Sequence, residues 1–186
     1  MGKKKETEVN GTILTTLQKL GWFRNISDKY QVGIPDNVGS YGGLTFGVEL
    51  KVVDEIPEDG LAPAKNEHRF SQTQVKELRS LQNVGGGIGL GIIVCGNTLF
   101  WFTPESITED GQVDCNRLYK EQKFILKDKE YGWSGLLVVM DILWTDRMSA
   151  YIPHIVQKQA MYFSDKKADK KVEVKEEVVK NLNKNP

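Results

Sequence analysis

In the stretch LTFGVELKVV, Val48, Leu50 and Val52 alternate with Glu49 and Lys51. Alternation with period two marks a half-buried strand, with one face on a core and the other carrying an adjacent carboxylate and ammonium. Residues 6–20 repeat at helical spacing instead: Val9, Ile13, Leu17 and Leu20 form one stripe, and Gly21 offers a stop. Gly11 and the threonines weaken that helix locally. WFRNISDKYQVG reads as one or two short strands around a turn, and GIPDNV as a short strand with Pro35 at its start or edge. DEIPEDGLAPAKNEHR, residues 54–69, is rich in proline and charge and reads as a mobile loop beside the charged strand. SQTQVKELRSLQNVGG predicts a second helix, with Ser71 as N-cap, Val75, Leu78 and Leu81 on its stripe, and glycines as its stop. IGLGIIVCG and TLFWF predict a hairpin turned by Gly96-Asn97.

This order predicts an α/β (α+β) fold, a central mixed β-sheet flanked by helices. Beyond Thr103 the pattern is less legible. RLYKEQKFIL and GLLVVMDILW are apolar enough to be packed, without a period that separates helix from strand. SDKKADKKVEVKEEVVKNLNKNP is a charged tail, either disordered or a fraying helix with Glu–Lys pairs. The expected organisation is a core over 6–102, a C-terminal extension over 103–163 that packs on the core or forms a dimer interface, and a flexible tail over 164–186.

Composition narrows the function classes. With 25 basic and 25 acidic residues the formal net charge is zero, so any nucleic-acid contact must come from local basic patches. Cys95 and Cys115 lack zinc-site spacing, and Cys95 in its apolar run reads as a buried thiol in a reducing compartment. MGKKKETEVNG lacks the apolar region of a signal peptide, and no stretch is apolar enough to span a membrane; the expectation is a cytoplasmic protein, in a host cytoplasm if phage encoded. His68 and His154 are isolated. GGGIGLG lacks the Lys-Ser/Thr of a phosphate-binding loop and reads as a helix stop and turn. Trp101, Trp133 and Trp144 read as core or interface.

The candidate chemistry lies in GIPD and GVELKV. Glu49 and Lys51 share a strand face, and if the strand of Asp36 pairs beside them, two carboxylates converge on one point. Hard oxygen ligands at that point suit Mg²⁺, which also takes phosphate oxygens. Lys51 would set a positive charge against the charge that develops during phosphodiester hydrolysis. The tripeptide alone is cheap, since Glu121-x-Lys123 and Glu173-x-Lys175 repeat it; the apolar strand and the upstream GIPD single out Glu49. The plain alternative is a solvated strand face with an ion pair.

EVNGTILTTLQKLG, GIPDNV, GVELKV and FSQTQVKELRSLQNVGGGIGLGIIV, in that order, resemble the PD-(D/E)xK nucleases, and more narrowly the virus-type replication-repair nuclease (VRR-NUC) family, relatives of Holliday-junction resolvases. The resemblance covers residues 6–96. It implies a restriction-endonuclease-like core ordered helix, three strands, helix, strand. It implies Asp36 and Glu49 as metal ligands, the backbone carbonyl of Leu50 as a further ligand, Lys51 as the catalytic lysine and Gln74 as the residue completing the site. It places the first-helix glutamate at Glu8, as both a ligand and a catalytic residue, whereas the stripe of Val9, Ile13 and Leu17 selects Glu6. The loop between Lys51 and Ser71 is longer than the family pattern, and residues after 103 match no part of it. The implied activity is a Mg²⁺-dependent DNA endonuclease, with Mn²⁺ able to substitute. Its implied substrate is branched DNA in replication, recombination or repair, and a phage or mobile-element origin fits; a homodimer would serve paired cuts. The competing classes are an inactive nuclease fold that binds DNA and a protein-interaction module.

Overall fold

The computed structural model describes residues 2–26, 33–83, 86–130 and 132–150. The chain divides into two compact units, Met1–Trp144 and Thr145–Pro186. Of the second unit, residues 145–150 are described and are helical. The charged tail and His154 lie outside the described residues, as does the second strand expected within 27–32.

The first unit is a six-stranded mixed sheet in the order β1-β2-β3-β5-β6-β8. Its leading elements are α1 (Gly2–Gln18), β1 (Trp22–Asn25), β2 (Asn37–Tyr41), β3 (Leu44–Val53), β4 (Leu61–Ala62), α2 (Gln72–Asn83) and β5 (Ile88–Cys95). The hairpin is completed by β6 (Thr98–Phe102), followed by β7 (Val113–Asp114), α3 (Cys115–Lys120) and β8 (Phe124–Leu126). With the short β4 set aside in a separate two-stranded sheet, the order is helix, three strands, helix, strand, which is the restriction-endonuclease-like order, and the fold is of that kind. β3 pairs antiparallel with β2 and parallel with β5. A parallel neighbour requires a crossover, and the chain between β3 and β5 supplies it with α2.

Two cores cover the two faces of the sheet. On one face Phe46, Val48 and Leu50 of β3 and Leu90 and Ile92 of β5 pack with Ile13 and Leu17 of α1. Trp133, Leu136, Val139, Met140 and Leu143 join the same core, from a segment that turns helical at residue 136. On the other face Val53, Ile93 and Phe102 pack with Val75 and Leu78 of α2 and with Phe70, Val113 and Leu118. The stretch past Thr103 thus extends the sheet through β8 and thickens both cores.

Several expectations change. α1 begins at Gly2 and ends at Gln18 instead of running 6–20; the amides of Leu20 and Gly21 close back on the Leu17 carbonyl at 3.0 and 3.1 Å. Gly21 is required by close approach, since a Cβ there would stand 2.2 Å from the Ser40 carbonyl oxygen. β2 starts at Asn37, so GIPD precedes the strand instead of forming it. The segment 54–69, predicted as a loop, is mostly irregular but carries a short strand: β4 pairs with β7 and Ala62 is fully buried. Its partner strand lies far downstream, so nothing local announces the pairing. The Gly96-Asn97 hairpin forms as predicted, with Cys95 opposite Thr98 and Gly96 at φ +57°.

Candidate active site

β2 stops short along β3. Its first residue, Asn37, lies opposite Val48, so from Glu49 onward no strand among the described residues pairs with β3 on that edge. Asp36, just before β2, fills the gap: its Oδ2 accepts the Leu50 amide at 2.9 Å, where a strand carbonyl would otherwise sit. Asp36 is itself held at its carbonyl, which accepts from the Ile26 amide at 3.0 Å and from Asn25 Nδ2 at 2.9 Å. A strand residue's N–H and C=O point to one edge. The Leu50 carbonyl therefore faces the same edge as its amide, toward Asp36.

Glu49 projects from β3 to the α2 face, and the plain alternative of a solvated strand face is not what it meets. The residue is 1% exposed. Alternation says which side a residue faces; what covers that side comes from α2, 25 residues along the chain. Oε1 of Glu49 accepts from Lys51 Nζ at 3.1 Å and from Gln74 Nε2, while Oε2 takes the Asp36 amide at 3.3 Å. Lys51 is only partly exposed, and its ammonium stands 5.7 Å from the Phe70 ring centroid. Gln74 is fixed from behind. Its Oε1 accepts the Ser71 amide at 2.9 Å, and its own amide donates to Ser71 Oγ at 3.2 Å. This reciprocal capping box starts α2 and delivers the Gln74 side chain to Glu49.

The electrostatics are those of two carboxylates served by one ammonium. Burial and the neighbouring Asp36 carboxylate push Glu49 up to about 7, against the opposing pull of Lys51. Burial also raises Asp36, offset in part by the Leu50 amide and Lys51. The donor set of Asp36 carboxylate, Glu49 carboxylate and Leu50 carbonyl is all hard oxygen. It carries one more negative charge than Lys51 offsets, which fits a divalent cation of the Mg²⁺ type.

Four of the five predicted side chains, Asp36, Glu49, Lys51 and Gln74, meet in this one network. Glu8 does not join it. It is exposed and shares a shallow depression with Thr12, Thr15, Lys19 and Gly132, on the side of α1 away from Ile13 and Leu17. Glu6 is half-buried, one turn before Asn10, whose Oδ1 accepts from Nδ2 of the fully buried Asn37. The stripe of Val9 and Ile13 therefore places Glu6, and not Glu8, on the side of α1 nearer Asp36. Among the described residues, no three His, Cys, Asp or Glu side chains cluster as a metal-binding group.

Sequence reasoning missed Ser71 as a site-building residue, reading it only as a cap; the spacing Ser71-x-x-Gln74 was the available signal. It also missed Phe70 beneath Lys51. Phe70 reaches on into a cavity of about 600 Å³ along α2, lined also by Thr73, Lys76, Arg79 and Glu109. No described helix is long and apolar enough to cross a membrane.

A solved structure of Hjc from Archaeoglobus fulgidus, described as a Holliday junction resolvase from an archaeal hyperthermophile, is similar to this chain. The identity is 17%, the TM-score 0.48, and the match covers 62% of this chain and 92% of that one. No family model matches the chain, and no curated protein matches it.

Proposed function

We propose that this protein is a Mg²⁺-dependent endonuclease that hydrolyses phosphodiester bonds in DNA, with Mn²⁺ able to substitute. The single observation that carries the reading is the joining of Asp36, Glu49, Lys51 and Gln74 in one hydrogen-bonded network at the edge where β2 leaves β3. Asp36, Glu49 and the Leu50 carbonyl would hold the cation. When bound, it supplies Lewis acidity to the scissile phosphate and the attacking water. Lys51 holds its ammonium beside that point and offers it to the phosphoryl oxygens as their charge grows. Gln74, locked to the start of α2, keeps the Glu49 carboxylate in one orientation.

Branched DNA as substrate class and a homodimer as working form extend the same reading. Leu137, Val138 and Ile142 are 42%, 59% and 42% exposed, and this apolar face is where a second copy would dock. The narrower virus-type replication-repair assignment rests on the sequence resemblance. One observation favours a second reading, an inactive nuclease fold that binds DNA: among the described residues only two carboxylates meet, with Glu8 turned away.

Incubating purified protein with labelled linear, single-stranded and four-way DNA, with Mg²⁺ or with EDTA, decides between them. Cleavage that needs the metal supports the enzyme. Binding without cleavage in Mg²⁺ or Mn²⁺ supports the module.

A further inference from the structure

The site-bearing face of the sheet continues past Asp36 to the edge strand. Trp22 lies opposite Ser40 and Arg24 opposite Val38; Ser40 in turn lies opposite Thr45, and Val38 opposite Gly47. The residues between them form a separate row, Phe23, Gly39 and Phe46. Phe23 and Phe46 are buried in the core beneath α1, with ring centroids 6.5 Å apart. Side chains alternate across a strand, so Trp22 and Arg24 stand on the opposite face, the face of Glu49 and Lys51.

Trp22 does not pack into either core. It is 62% exposed, whereas Trp101 and Trp133 are 9% and 2% exposed. The Arg24 guanidinium stands 5.2 Å from the Trp22 ring centroid. The guanidinium lies over one face of the ring, and a ring this exposed with a cation on it suits a ligand with a flat π-system and a negative charge. A nucleic-acid strand has both, in its bases and its phosphates.

Sheet geometry sets the reach. Two strand spacings of about 4.8 Å separate β1 from β3, and Glu49 lies two residues, about 7 Å, beyond the Gly47 level of Arg24. The diagonal is about 12 Å from Arg24 and about 17 Å from Trp22, which lies at the Thr45 level. A stacked DNA strand advances about 3.4 Å per nucleotide, so the platform lies within a few nucleotides of the carboxylates.

We infer that Trp22 and Arg24 form a binding platform for an unpaired nucleotide of the bound strand, its base stacked on Trp22 and a phosphate held by Arg24. The inference rests on the nuclease reading above. It goes beyond that reading by naming what selects the substrate. A fully paired duplex has no free base face, whereas a single strand, a flap or an open junction has one.

The test is equilibrium binding in EDTA, where no cleavage intervenes. The probes are a single-stranded oligonucleotide, a duplex with an unpaired tract and a fully paired duplex. The wild-type protein is expected to prefer the two probes with unpaired nucleotides. Trp22→Ala should weaken those two by about 5- to 150-fold and leave the paired duplex nearly unchanged, while Trp22→Phe keeps most of the preference. Quenching of intrinsic fluorescence by the single strand should be largely lost in Trp22→Phe although binding persists. Arg24→Gln should lower the slope of log affinity against log salt by about one. Matched melting curves for the variants exclude unfolding, which the exposure of Trp22 already disfavours. If wild type and Trp22→Ala bind every probe equally, the platform is overturned and the nuclease reading stands; if Trp22 instead captures a protein partner, the same equality results. If wild type binds no probe at all, the platform is overturned, and the nuclease reading is decided separately by cleavage in Mg²⁺.

Discussion

Gln74 donates from Nε2 to Glu49 Oε1 while its own Oε1 accepts the Ser71 amide, so the first turn of α2 and the buried carboxylate of β3 are one hydrogen-bonded unit. Helix capping and site geometry are therefore coupled here. Two substitutions separate them. Ser71→Ala removes only the cap acceptor and is expected to cost about 1 kcal/mol of stability with little loss of cleavage. Gln74→Ala removes one arm of the cap and also releases Glu49, so it should lower turnover as well. Thermal melts beside single-turnover rates check this; equal turnover in the two variants would show that Gln74 serves the helix alone.

Asp36→Ala and Glu49→Ala are each expected to abolish metal-dependent cleavage. Each removes one of the two carboxylates from a set of three oxygen donors. Calorimetric titration with Mn²⁺ should show metal binding lost alongside activity. Retained cleavage in a clean Glu49→Ala preparation would sink the assignment.

Lys51→Ala should slow cleavage by roughly two orders of magnitude or more with DNA affinity nearly intact, the scale for losing one group that stabilises transition-state charge. A fall in affinity as large as the fall in rate would make Lys51 a phosphate anchor instead.

The raised Glu49 gives a signed pH dependence. Its ordinary value is 4.5, and in the fold it stands at about 7. The folded protein therefore prefers the protonated acid. The contribution is most favourable below pH 4.5 and is lost as pH rises through 7, on the order of 3 kcal/mol. In EDTA the melting temperature should fall between pH 5 and 8, more steeply than in Glu49→Gln. Added Mg²⁺ should raise it far more at pH 8 than at pH 5. Parallel pH profiles for wild type and Glu49→Gln would contradict the burial argument.

Leu137, Val138 and Ile142 lie on the helix that also buries Leu136, Val139 and Leu143. Light scattering at micromolar concentration should give a dimer mass, and Val138→Glu should shift it to monomer with the melting temperature little changed. A monomer mass with full junction cleavage would refute the dimer.

Elements governed by neighbours in sequence were legible from sequence. β3, the Ser71 cap and the Gly96-Asn97 hairpin follow from alternation and turn chemistry within a few residues. Features that depend on distant partners were not. The burial of Glu49 is not legible because its strand gives no hint that Gln74 reaches it from α2. The segment 54–69 reads as a loop without a strand because the partner of Leu61 and Ala62 arrives only at Val113 and Asp114. In the stretch 135–144 the inward residues Leu136, Val139 and Leu143 are interleaved with the outward Leu137, Val138 and Ile142, which hides the period. On α1 the helical stripe pointed to Glu6 while the family resemblance pointed to Glu8, and the helix follows the stripe.

The amide of Leu50 is a built-in reporter. In a sheet interior a backbone proton is shielded by the next strand, and its exchange with solvent reads out the opening of that strand. Here a carboxylate stands in the strand's place, so the proton's lifetime and chemical shift follow the charge and position of Asp36. A single cross-peak in the spectrum of ¹⁵N-labelled protein would then track protonation, cation loading and substrate arrival at this centre, with no attached probe and no turnover required.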